Sequence, residues 1–232
     1  VVATQLAFTT QPAPLTGTSG ILLDFTTDPV VVAGDANGTL DTGYTGTVAL
    51  TETGAGSASY TNNSVAAVAG VATFTGLTVT YTATADQEPF ALQASDGSLT
   101  TSNSSNVTSD VVATQLAFTT QPSGSVSGIS LTTQPVVTAQ DASGVTDTDF
   151  SETVTLTEGA AGSLTSNTRA AVTGVAAFTG LIYTAILDGE SFTLTANDAD
   201  ATGSDLPAVS ANPITSDVVA TQLAFTTQPS GS

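Results

Sequence analysis

The sequence has no cysteine, histidine, tryptophan or methionine, and Arg169 is its single basic residue, so there is no lysine either. Without cysteine there is no disulfide and no thiolate metal site. Without histidine the commonest general base and nitrogen ligand is missing. The lack of lysine removes Schiff-base chemistry and any Lys–Asn isopeptide cross-link. Serine and threonine abound, but neither His nor Lys stands ready to activate them. The glutamates, Glu52, Glu88, Glu152, Glu158 and Glu190, fall in expected turns and strand edges, with no spacing that points to a shared cleft. We therefore expect no enzyme. The net charge of −19 comes from 20 acidic residues against one basic residue. That balance argues against a nucleic-acid partner, whose phosphates select Lys and Arg, and against an anionic membrane surface. No apolar run approaches the roughly 20 residues that span a bilayer. With no secretory signal pattern at Val1, the chain reads as a mature internal piece of a longer protein.

What is present is apolar, small and β-branched. Hydrophobic residues make up 40% of the chain, enough for packed cores, and Val and Thr favour pleated strands. The twelve residues Val1–Pro12, VVATQLAFTTQP, recur at Val111–Pro122 and again at Val218–Pro229, offsets of 110 and 107 residues. A period near 100 residues suits a β-sandwich domain and is too long for a solenoid repeat or propeller blade. Within each period the similarity continues in order. Pro29-Val30-Val31 matches Pro135-Val136-Val137, and Asp35-Ala36-Asn37-Gly38 matches Asp141-Ala142-Ser143-Gly144. Val48–Thr51 matches Val154–Thr157, Gly70–Leu77 matches Gly174–Leu181, and Phe90–Ala94 matches Phe192–Ala196. We expect two full copies, 1–110 and 111–217, and in 218–232 the first strand of a third, with the parent chain continuing beyond it.

The matched blocks read as short strands. Leu6 and Phe8, Val48 and Leu50, and Phe90, Leu92 and Ala94 alternate with neighbours of the opposite face, a period of two. Asn37-Gly38, Asp96-Gly97, Ser143-Gly144 and Asp188-Gly189 mark turns between them. No segment sustains a helical period. The fold class is all-β, as tandem immunoglobulin-like antiparallel sandwiches. One parity conflict stands out: Val71 and Phe74 cannot share a face of a regular strand, so a bulge or an edge is expected there. Thr78, Thr80, Thr82 and Thr84 alternate along one stretch, which we read as the solvent face of a strand.

These blocks resemble the tandem bacterial immunoglobulin-like repeats, Big and invasin-like, of very large surface proteins and adhesins. Carrying the resemblance are Gln5–Pro12, the Pro-Val-Val run leading to Asp-Ala-x-Gly, the Gly-Val-Ala-x-Phe-x-Gly-Leu block and the aromatic-x-Leu-x-Ala strand. The resemblance implies an extracellular stalk, spacer or fibre. Members often carry Tyr where this chain has Phe90 and Phe192, so the tyrosine-corner hydrogen bond cannot form from those positions.

The junctions Thr108–Val112 and Thr215–Val219 contain neither Gly nor Pro, which suggests stiff connections. With Pro29–Ala33 as strand B and Phe90–Ala94 as strand F, immunoglobulin topology would gather Asp35, Asn37, Asp41 and Asp96 at one pole. The second-copy counterparts are Asp141, Asp147, Asp149, Asp198 and Asp200, with Asp110 arriving from the preceding linker. All-oxygen ligand sets suit Ca²⁺. Asp-Ala-Asn-Gly and Asp-Ala-Ser-Gly are also ordinary turn sequences, in which Asp bonds local backbone. Expected partners are neighbouring repeats or identical chains, the latter by strand exchange through the recurring segment. A surface glycan at a loop pole is a further candidate partner, against which the lack of Trp weighs.

Overall fold

The computed structural model describes residues 1–198 and 205–227. The chain is all-β and divides into two compact units, Val1–Val112 with Ser143–Asp147, and Ala113–Ala142 with Thr148–Ser232. The first unit contains β1 (Gln5–Thr10), β2 (Thr16–Thr18), β3 (Leu22–Asp24), β4 (Val30–Gly34), β5 (Thr47–Glu52), β6 (Ser57–Thr61), β7 (Ser64–Ala66), β8 (Val71–Thr73), β9 (Thr78–Thr82), β10 (Glu88–Phe90), β11 (Leu92–Ser95), β12 (Ser102–Asn103) and β13 (Val107–Asp110). The second repeats the series as β14 (Gln115–Thr120), β15 (Ser125–Val126), β16 (Ile129–Ser130), β17 (Val136–Gln140), β18 (Thr153–Glu158), β19 (Ser163–Thr165), β20 (Thr168–Ala170), β21 (Val175–Ala177), β22 (Ile182–Thr184), β23 (Glu190–Phe192), β24 (Leu194–Asn197), β25 (Val209–Ser210) and β26 (Ile214–Asp217).

In the first unit β4 pairs antiparallel with β1 and β8, and β3 continues the same side by pairing with β9, whose other neighbour is β6. The facing layer runs β7-β5-β11-β12, extended by β10-β13 and by β2, which lies parallel to β13. Grouping the segments as A (β1), A′ (β2), B (β3 and β4), C (β5), E (β8 and β9), F (β10 and β11) and G (β12 and β13) gives an immunoglobulin-like sandwich. β6 and β7 form one edge stretch shared between the layers, since β6 pairs with E and β7 with C. The second unit has the same pairings throughout: β14-β17-β21, β16-β22-β19, β20-β18-β24-β25 and β15-β26-β23. Even the irregularity in strand A recurs, a register shift between Phe8 and Thr10 and between Phe118 and Thr120.

The alternation read from sequence is the alternation of burial. Val48 and Leu50 point inward and are fully covered, as are Leu92 and Ala94, while Thr47 and Thr51 stay exposed. The first core gathers Leu6, Val31, Val48, Leu50, Phe74, Leu77, Val79, Tyr81, Phe90 and Leu92. The second gathers Leu116, Val137, Leu156, Phe178, Leu181, Tyr183, Phe192 and Leu194. The parity conflict resolves at Ala72, which shares the inward face with Phe74 and leaves Val71 on the other side. β8 is an edge strand, and its pairing with β4 runs without a bulge. Thr78, Thr80 and Thr82 are only half exposed, because β9 is flanked on both sides, by β3 and β6, while Thr84, beyond the strand, is exposed. Arg169 on β20 pairs opposite Val154 as Val65 pairs opposite Val48, so it replaces a valine at a sheet edge.

Candidate functional site

Asp35, Asp41 and Asp96 lie in the loops where the turn signals placed them, and each accepts at least one N–H of its own loop. Asp35 accepts the N–H groups of Asn37 at 3.0 Å and Thr39 at 2.8 Å through Oδ1. Its carboxyl is held below the ordinary range, first by the Thr39 N–H. Asn37 itself is exposed, in a loop that Gly38 closes with a φ of 81°. Asp41 accepts the Gly43 N–H at 2.9 Å on Oδ1 and, across the fold, the Ala3 N–H at 2.9 Å on Oδ2, which ties down the residues ahead of β1. Asp96 accepts from Leu99 N–H at 2.7 Å, Ser98 N–H at 2.9 Å and the Tyr44 hydroxyl at 2.7 Å. Burial works to raise the Asp96 carboxyl, but these donors outweigh it and hold the group well below the usual carboxylate range. Burial and Asp96 together push Tyr44 up to about 12. Asp110, at the end of β13, accepts from the Gln87 side-chain amide. Within the first unit Asp110 and Asp86 bring carboxylate oxygens within 4.8 Å of each other.

In the second copy Asp141 offers its backbone carbonyl to the Gln115 side chain at 3.0 Å. Asp147 is buried and Asp149 exposed. Asp198, only 1% exposed, receives the Leu206 N–H at 3.1 and 3.3 Å on its two oxygens. Asp200 lies outside the described residues.

Glu88, expected in a turn or at a strand edge, begins β10, is buried and forms the best-connected polar site in the first unit. Tyr81 on β9 stacks on Phe90 of β10, ring centroids 4.2 Å apart at 16°. Its hydroxyl donates to Glu88 and accepts the Gly56 N–H at 2.9 Å. Glu88, buried to 8% exposure, also accepts the N–H groups of Ala55 and Gly56 at 2.9 Å, of Thr84 at 2.6 Å and of Ala85 at 3.2 Å. One carboxylate thereby joins the loop leaving β5 to the loop entering β10. Desolvation would raise its pKa, but the Tyr81 hydroxyl and the Thr84 and Ala85 donors more than offset it and leave the group at about 2. Gly54 and Gly56 let the ring approach: a Cβ on Gly54 would lie 2.0 Å from the Tyr81 hydroxyl.

The second unit repeats the ring pair, Tyr183 on Phe192 at 3.7 Å, with Glu190 beside it. Here the carboxylate is looser. It takes the Ile186 N–H at 2.9 Å and the Ala161 N–H at 3.3 Å, and the buried Tyr183 hydroxyl closes no hydrogen bond of ordinary geometry. Next to each glutamate an aspartate anchors the start of the recurring segment: Asp86 accepts the Val111 N–H at 2.7 Å and Asp188 the Val218 N–H at 2.9 Å. The signal was in the sequence. Tyr81, Asp86, Glu88 and Phe90 have the spacing of Tyr183, Asp188, Glu190 and Phe192, a Tyr-x4-Asp-x-Glu-x-Phe pattern repeated in both copies.

The third copy of the recurring segment is placed differently from the others. Residues 218–227 form no strand, and Leu223 and Phe225 are 102% and 77% exposed, whereas Leu6 and Leu116 are each 3% exposed.

No family model matches the chain, and no curated protein does. Solved structures do. The Escherichia coli adhesin FdeC matches at 17% identity over 95% of this chain and 67% of its own, TM-score 0.37. Extracellular domains 3–5 of Drosophila OTK match at 12% identity over 92% and 66%, TM-score 0.38. A family 2 glycosyl hydrolase from Bacteroides cellulosilyticus matches at 12% identity over 87% of this chain, TM-score 0.36, and the chain spans about a quarter of that enzyme's length. Among the described residues no helix is long and apolar enough to cross a membrane.

Proposed function

We propose that this chain is a structural module of an extracellular surface protein, a stalk or spacer in which each repeat closes its own sandwich and passes the chain on to the next. The observation that carries this reading is the repetition itself: one sequence pattern folds twice into the same strand order around two separate cores. The polar groups fit such a role. In the first unit Asp35, Asp41, Asp96 and Glu88 all hold loop backbone in place. The chain's own repeats are its expected partners, and the acidic, threonine-rich surface suits a hydrated cell exterior.

Pulling single molecules by their two ends tests the proposal. A load-bearing array gives two successive unfolding events of similar force, each releasing roughly 35 nm, the extended length of about 110 residues less the folded span. One event releasing the whole length, or extension without resistance, overturns it.

A further inference from the structure

One pair of matched segments has equivalent ends and unequal lengths. Ser57–Asn63 spans seven residues in the first unit, and Ser163–Asn167 spans five in the second. The ends correspond in structure. Asn63 and Asn167 donate side-chain N–H groups to the carbonyls of Leu50 and Leu156, at 2.9 and 2.7 Å. Ser57 and Ser163 open their strands opposite Thr82 and Thr184. Between those ends β6 pairs five residues with β9, whereas β19 pairs three with β22. Alternation turns Ala58 and Tyr60 of β6 inward, and β19 has Leu164 alone in their place.

In the first unit Tyr60 fills this corner. Its ring packs against the first core and its hydroxyl donates to Oε2 of Glu52 at 2.5 Å. The second unit keeps the acceptor and lacks the donor. Glu158, the counterpart of Glu52, accepts the Ala160 N–H at 2.6 Å on Oε2, and its Oε1 has no donor among the described residues. An open pocket of about 410 Å³ lies beside it, walled by Leu156, Thr157, Glu158, Gly162, Leu164 and Asn167, among others. Leucines with a carboxylate at the rim suit a phenol, a flat apolar ring with a hydrogen-bond donor at its tip.

We infer that this pocket binds the phenol side chain of a tyrosine presented by a different polypeptide, with the hydroxyl donating to Glu158 as Tyr60 donates to Glu52. The four tyrosines of this chain are already placed: Tyr44 on Asp96, Tyr60 on Glu52, Tyr81 on Glu88, and Tyr183 buried against Phe192. A second copy in the same fold therefore offers none. The pocket is open and β19 is the edge of its sheet, so a ring can enter while its own backbone stays outside. One side chain in an open site binds weakly, with a dissociation constant on the order of millimolar.

Titrating the full chain with N-acetyl-tyrosinamide, followed by amide NMR, tests this. Gly162, Ser163 and Asn167 should shift, while their counterparts Gly56, Ser57 and Asn63, beside the resident Tyr60, should not. N-acetyl-phenylalaninamide should bind about fivefold more weakly, because it brings no hydroxyl to the carboxylate. Glu158→Ala should bring the two compounds to parity, and Tyr60→Ala should create the response in the first unit. The absence of shifts with N-acetyl-tyrosinamide overturns the inference, as do equal shifts in both units of the wild type or equal affinity for the phenylalanine compound. A folded Tyr60→Ala chain that gains no response overturns it as well. Binding of 4-methylphenol without binding of N-acetyl-tyrosinamide makes the ligand a free phenol and overturns the assignment to a polypeptide.

Discussion

Residues 5–10 and 222–227 have the same sequence and different structures: the first is a strand with a buried leucine, the second an irregular segment with that leucine in water. Local propensity is identical in the two places, so it does not decide. A strand needs a neighbour to receive its N–H and C=O groups, and a leucine needs a core to enter. β4 and the first core provide both for residues 5–10, and among the described residues nothing provides them for 222–227. The two units offer a second comparison of the same kind. Tyr81 and Glu88 close a dense hydrogen-bonded corner, while Tyr183 and Glu190, at identical spacing, close a sparser one.

The largest effect expected from these comparisons is in the leucines. Leu6→Ala and Leu116→Ala should each destabilise their own unit by about 3 kcal/mol, the cost of a buried leucine truncated to leave a cavity. Leu223→Ala should change stability by less than about 0.5 kcal/mol, as exposed substitutions do. Urea unfolding of the three variants checks this, and equal losses at all three positions would break the comparison.

Next come the glutamates. Glu88→Ala strips a buried hydroxyl and the N–H groups of Ala55, Thr84 and Ala85 of their acceptor, leaves that of Gly56 only the Tyr81 oxygen, and should cost about 2–3 kcal/mol. Glu190→Ala should cost visibly less, since fewer donors depend on it. Measuring the two by thermal unfolding sharpens the contrast between the units.

The smallest and most gradual effect is that of acid. Glu88 and Asp96 are depressed in the folded state, so they bind protons more readily when unfolded. Their contribution is fully present above the unfolded carboxylate range, near pH 4, and is lost as pH falls toward the folded value of about 2 for Glu88. Unfolding of the wild type should therefore become easier between about pH 4 and pH 2, and Glu88→Ala should flatten that slope. An unchanged slope in the variant would place the acid sensitivity elsewhere.

Much of the fold was legible. The alternation at Val48 and Leu50 and at Phe90, Leu92 and Ala94 named inward faces that the structure buries, because a period of two leaves only one face for the core. The turn signals at Gly38 and Gly97 coincide with backbone of positive φ. The acidic pole was legible as loop positions and not as geometry. Spacing puts Asp35, Asp41 and Asp96 at one end of a sandwich, but which N–H each carboxylate faces depends on loop paths, and Asp41 reaches as far as Ala3. The burial of Glu88 was not legible, because a glutamate between Gln87 and Pro89 reads as an exposed turn residue and charged side chains are seldom buried.

By itself the sequence determined the periodicity, the strand class, the inward faces and the poverty of catalytic and cationic groups, since these follow from which residue types recur at which spacing. Tertiary structure alone decided which two of three identical segments are strands among the described residues, and that Tyr81 and Glu88 hold the corner beside Phe90. In both cases the outcome depends on a partner distant in the chain, the edge of β4 or a pair of N–H groups at Ala55 and Gly56, and no local pattern encodes whether that partner is at hand.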